Sequence, residues 1–148
     1  MTIITDEMRK ELSEKPAAGV GEFTVIIDGC KTTVDAKGEE YSLLELTVTE
    51  GEEEGSQCNE RLYIFSKDVY QYDNTALVRT KVAINKLNQI GGIFDVTISD
   101  PVKDLSKLVG KTMRVIRTES KPKEGSDKTF TNNTKFLAVA EEQDIPLA

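Results

Sequence analysis

The chain has 148 residues, enough for one compact domain, with 38% hydrophobic and 30% charged residues and a formal net charge of −7. It contains no histidine and only two cysteines, Cys30 and Cys58, which excludes a histidine base, a Cys–His nucleophile and a closed zinc site within one chain. No apolar run approaches the roughly 20 residues that span a bilayer, and Met1–Asp6 lacks a basic start and an apolar stretch. A cytoplasmic protein with reduced thiols, no cofactor and no membrane contact is expected.

Residues 1–18 read as an N-terminal extension, in which Thr5 and Asp6 would cap a brief helix carrying Met8 and Leu12 and stopped by Pro16. The domain is expected over 19–140. Its first strand alternates Phe23, Val25 and Ile27 with Glu22, Thr24, Ile26 and Asp28, and Asp28-Gly29 is expected to end it. A polar loop from Lys31 to Glu40 would follow. The second strand turns Leu44, Leu46 and Val48 one way and Tyr41, Leu43, Glu45 and Thr47 the other. Glu50 to Gly55 reads as a charged hairpin loop without the alternating ligands of a calcium site.

The third strand is expected over Glu60–Phe65. If Leu62 and Ile64 point inward, Tyr63 and Phe65 point outward; a one-residue shift of register would exchange the faces. A helix capped by Asp73 or Asn74 follows, with Ala76, Leu77, Ala83, Ile84, Leu87 and Ile90 on one side, and Gly91-Gly92 as its stop. After a linking segment from Ile93 to Leu108, the fourth strand runs over Thr112–Glu119, with Met113 and Val115 inward and Arg114 outward. A basic loop spans Ser120 to Thr129. The fifth strand covers about Thr131 to Val139, offering Phe136, Leu137 and Val139 to the core. Residues 141–148 form an acidic tail.

Three strands, a helix and two strands fit a mainly β, five-stranded Greek-key barrel with one helix between strands 3 and 4. A five-stranded sandwich without barrel closure is the competing arrangement. Charge is polarised along the chain. From Lys111 to Lys135 seven bases stand against three acids, so this stretch is +4 and the rest of the chain carries −11 of the total −7.

The element order resembles the OB-fold. Pro16-Ala17-Ala18-Gly19 leading into Glu22-Phe23-Thr24-Val25-Ile26, Lys37-Gly38 before the second strand, Leu108-Val109-Gly110-Lys111 and Asn132-Asn133 are similar to stretches of the bacteriophage OB-fold single-stranded DNA-binding proteins. The resemblance implies non-covalent coating of single-stranded DNA with little sequence preference, in replication or recombination, with a homodimer as one possible assembly. It also implies that aromatics and cations gather on the outer face of strands 2 and 3 and on loops L12 and L45. Tyr41, Arg61, Tyr63 and Phe65 would occupy that face. Lys31 and Lys37 would lie on L12, and Lys121, Lys123, Lys128 and Phe130 on L45. Lys111, Arg114, Arg117 and Lys135 would come from the neighbouring strands.

The end of the chain, Glu141-Glu142-Gln143-Asp144-Ile145-Pro146-Leu147-Ala148, is similar to the acidic tip of bacterial single-stranded DNA-binding proteins, with Leu147 in place of the aromatic. Asp144, Ile145, Pro146 and Leu147 would there recruit replication or recombination proteins; a plain solvated tail is the other reading. Against DNA binding as a whole stands a second function, an acidic adaptor that binds a replication or recombination enzyme. No pair of carboxylates suggests acid–base catalysis, so a hydrolase is disfavoured.

Overall fold

A computed structural model describes residues 3–6, 16–120, 125 and 129–139. The chain builds β1 (Gly21–Val34), β2 (Glu40–Val48), β3 (Glu60–Leu62), α1 (Lys67–Tyr70), α2 (Asn74–Phe94), α3 (Pro101–Ser106), β4 (Thr112–Glu119) and β5 (Thr131–Leu137). The strands form one antiparallel sheet in the order β3-β2-β1-β4-β5. The extension expected to hold a capped helix falls almost wholly outside the described residues. Pro16 and Ala18 exchange backbone hydrogen bonds with Gln57, and Ala18 is buried.

β1 does not end at Asp28-Gly29. Ile27 faces Leu46 and Gly29 faces Glu45, so Asp28 is an extra residue in a bulge and the strand continues for another turnless stretch to Val34. Thr47 Oγ1 donates to the Asp28 carboxylate across this irregularity. Fourteen residues of strand extend about 45 Å, long enough for β1 to pair with β4 through its first half and with β2 through its second. Lys31 consequently lies in the strand, opposite Leu43, and the hairpin loop shrinks to residues 35–39.

The inner face of the sheet carries Val25, Ile27, Leu44, Leu46, Val48, Leu62, Met113, Val115 and Phe136, all buried. Ala83, Leu87 and Ile90 of α2 and Leu105 of α3 pack on them. Each large apolar side chain sequestered in this way contributes about 1.5–3 kcal/mol. β3 is shorter than expected: pairing stops at Leu62, and Ile64 is 42% exposed.

Asp73 starts α2 by accepting from Thr75 N at 3.0 Å and Ala76 N at 3.2 Å. The helix runs through Gly91-Gly92 and ends at Asp95, which takes the left-handed conformation (φ 54°). Gly91 serves close packing instead: a Cβ there would sit 2.4 Å from the Val96 carbonyl oxygen. Ile84, expected on the buried side, is half-exposed, and Thr80 takes an inward position. The expected linking segment contains the end of α2 and α3, which begins with Pro101 under an Asp100 cap.

Backbone pairing leaves the sheet open between β3 and β5 among the described residues. Side chains span that gap. Asn133 Nδ2 donates to the Cys58 carbonyl and to Glu60 Oε2, each at 2.8 Å, and Glu60 also pairs with Lys86 of α2. Helix α2 touches both edges, through Thr80 accepting from Phe65 N and Gln89 accepting from Phe136 N, each at 3.0 Å.

Candidate nucleic-acid interface

Three rings gather on the outer face of the β2–β3 edge. The register that pairs Ser42 with Leu62 sets Tyr63 opposite Tyr41 one step further along. Their ring centroids are 5.1 Å apart, and Phe65 follows Tyr63 at 6.5 Å with nearly parallel planes (15°). Tyr41 is buried beneath this group, while Tyr63 and Phe65 are half-buried. Tyr63 and Phe65 are not sealed in the core, whereas Tyr41, expected on the open face, is covered by Tyr63 and Arg61.

Two guanidinium groups cap the rings. Arg61, opposite Leu43, carries its guanidinium carbon 5.1 Å from the Tyr41 centroid, and Arg79 of α2 stands 4.6 Å above Tyr63. Such cation–π contacts contribute about 0.5–1 kcal/mol at exposed sites. Arg79 also pairs with Glu39 at 3.0 Å, both side chains substantially exposed. Arg79 lies three residues after buried Ala76, on the flank of the core-facing stripe of α2 nearest β3. The sequence pattern contains that position but does not say which strand the flank meets.

The β1–β2 turn holds the group from the side. Asp35 Oδ1 accepts from Lys37 N and Glu39 N, each at 2.9 Å, and Gly38 supplies the positive φ (81°) that the turn needs. The other carboxylate oxygen accepts from Tyr63 Oη at 3.0 Å. The Glu39 N–H, joined by the Tyr63 hydroxyl and Lys37, holds the Asp35 carboxyl below the usual carboxylate range. Partial desolvation, reinforced by the bond to Asp35, pushes the Tyr63 hydroxyl above its ordinary value. Lys37 is exposed on the turn, and Lys31 makes a long 3.8 Å contact to Glu45.

The cations of β4 and β5 stand apart from this group, with β1 between them. Arg117, expected outside, is 6% exposed: Nη1 donates to Asn133 Oδ1 at 2.6 Å and Nε to the Gly19 carbonyl at 3.3 Å. It shares the inward phase of Met113 and Val115 and serves the interior polar cluster. Arg114 does point outward, but it is held by Glu22 at 2.6 Å and by the Ala138 carbonyl. It borders a groove of about 870 Å³ whose other charged residues are Glu22, Glu50, Glu52 and Glu53. Glu53 is more than a solvated loop residue, since its carboxylate accepts from Gly19 N at 3.0 and 3.2 Å.

Lys111 is exposed at the turn before β4, and Lys135 is exposed on β5 opposite Ile116. Phe130 is 64% exposed, and its backbone pairs with Ser120 at the neck of the loop between β4 and β5. Lys121, Lys123 and Lys128, like Asp144, Ile145, Pro146 and Leu147, lie outside the described residues. No group of three or more metal-ligating side chains occurs among the described residues, and none of their helices is long and apolar enough to cross a membrane.

The stacked rings and their guanidinium caps can hold flat, π-faced ligands flanked by negative charge. Bases stack on tyrosine and phenylalanine rings and equally on arginine planes. The chain matches no protein-family model and no curated protein.

Proposed function

We propose that this protein binds single-stranded DNA on the outer face of β2 and β3, coating it without covalent chemistry and with little sequence preference. The observation that carries the reading is the pair of half-buried rings Tyr63 and Phe65, seated on Tyr41 and flanked by Arg61 and Arg79. Stacking contributes about 1–3 kcal/mol per base and tolerates any base. Arg61, Arg79, Lys31 and Lys37 supply positive charge beside the rings. An OB-fold Greek-key barrel is the architecture we propose for the sheet. Its strand order, the position of α2 between β3 and β4, and the side-chain links from Asn133 to Cys58 and Glu60 support that assignment. In that setting the protein would serve phage DNA replication or recombination.

A fluorescence-anisotropy titration with labelled oligo-dT tests the reading. We expect salt-sensitive binding that Tyr63→Ala weakens by about 5–150-fold, the equivalent of one lost stack. Absence of binding at low salt sinks it. The acidic groove of Glu22, Glu50, Glu52 and Glu53 favours a second reading, an adaptor for a basic protein surface. In that case oligo-dT fails to bind, and Glu50→Lys with Glu52→Lys, both at exposed positions, abolishes capture of the basic partner.

A further inference from the structure

We infer that the bound strand leaves the sheet face at Tyr63 and continues along the groove between β3 and α2, a path that rests on the nucleic-acid reading above. This groove, about 170 Å³, is lined by Arg61, Tyr63, Val78, Arg79, Val82 and Lys86, and by Glu60 and Ala83 at its base. It opens directly off the ring cluster, because Arg61, Tyr63 and Arg79 belong to both.

Charge and shape select this direction. Toward β1 a strand would meet Glu45, paired with Lys31, then Glu22, paired with Arg114, and beyond them the groove that also carries Glu50, Glu52 and Glu53. Toward α2 it meets Arg61, then Arg79, shared with the part-exposed Glu39, and Lys86, shared with Glu60. Arg79 and Lys86 stand seven residues apart, two helical turns or about 10.5 Å along one face. The Glu60 carboxylate beneath them accepts from Lys86 and from Asn133, so its charge is compensated from within the protein. Val78, next to Arg79, and Val82, one turn on and between Arg79 and Lys86, are 50% and 47% exposed. Two half-exposed valines framed by arginine and lysine match the apolar edges of sugars and bases flanked by phosphates. A single strand of nucleic acid has that chemistry.

The test uses the full chain and labelled oligo-dT. Val82→Glu and Val78→Glu place an anion in the groove at exposed positions and are expected to weaken binding about tenfold each. Ile84→Glu, the same change at a residue 46% exposed outside the groove lining, is expected to stay within about twofold of the parent. A second readout avoids any effect on folding. Because Cys30 and Cys58 are buried, the thiol introduced by Val82→Cys should be the fast-reacting one, and oligo-dT should protect it; that of Ile84→Cys should remain reactive. If both valine variants bind like the parent and the Val82→Cys thiol stays unprotected, while Tyr63→Ala loses binding, the path is wrong and the stacking site stands. If the parent fails to bind oligo-dT at all, both fall together.

Discussion

The Tyr63 hydroxyl reaches the Asp35 carboxylate at the turn of the β1–β2 hairpin, 3.0 Å away. One aromatic ring thereby ties the tip of the hairpin to the residues that follow β3, and the same ring lies under Arg79.

Replacing Tyr63 with phenylalanine separates those two roles. The ring stays, so oligo-dT affinity should remain within about twofold of the parent, while the hairpin loses its tether. The tether is also pH-dependent. Asp35 has a folded-state pKa below its ordinary value of 3.8, so its contribution is complete above that value and is lost as the pH falls through the lower folded-state value. Thermal melts of parent and Tyr63→Phe should therefore differ at neutral pH and converge in strong acid.

Glu39 pairs with the Arg79 guanidinium that lies over Tyr63 and, on the proposed reading, would compete with phosphate for it. Glu39→Gln should bind oligo-dT more tightly by a few-fold, about 0.2–1 kcal/mol, the range of an exposed ion pair. The gain should shrink in high salt. Equal affinities of parent and variant at every salt concentration would show that Glu39 does not restrain Arg79.

Arg117 and Asn133 should behave as interior residues. Arg117→Met leaves Asn133 Oδ1 without its 2.6 Å donor and should cost about 1–3 kcal/mol in urea unfolding. Asn133→Ala should cost more, about 3–5 kcal/mol, because the buried Arg117 guanidinium keeps only the Gly19 carbonyl, the Cys58 carbonyl loses a donor and Glu60 keeps only Lys86. Neither variant, while folded, should change the salt dependence of oligo-dT binding.

The thiols offer an independent check on the interior. Burial, with Glu45 and Asp100 adding repulsion, pushes the Cys30 thiol up to about 11 from 9.0, and burial likewise raises Cys58. The folded state thus keeps a proton on Cys30 that the unfolded chain releases. Its contribution to stability is complete below pH 9 and falls as pH rises toward 11. Cys30→Ser should flatten that alkaline decline, and native thiol labelling at pH 8 should be slow for both residues.

Much of this fold is legible in the sequence where a single periodicity is unbroken. Thr112–Glu119 alternates cleanly, so its limits and the inward Met113 and Val115 follow from the residues alone. The same alternation places Arg117 inside; reading it as part of a basic surface followed local charge over phase, and phase prevails because Asn133 is there to receive it. Asp28-Gly29 has the composition of a turn, and only the partner strand makes it a bulge. The outward rings Tyr63 and Phe65 were legible, with Tyr41 and Arg61 beside them. Arg79 was not, since a helix flank gains a neighbour only from tertiary packing.

Asp28 also acts as a phase shifter for everything after it. Val25 and Ile27 occupy odd inward positions, and Cys30 occupies an even one. Without this one residue Ile27 opposite Leu46 would be followed directly by Gly29 opposite Glu45 and Cys30 opposite Leu44, so Cys30 would stay inward and Lys31 outward, and only the local bend and the Thr47 hydrogen bond would be lost. Deletion at 28 should therefore retain a cooperative melt, as should Asp28→Asn, which keeps the bulge; loss of the cooperative melt on deletion would show that the bend itself is required. The bulge lets one strand carry an even-numbered buried residue after two odd-numbered ones without turning any side chain to the wrong face.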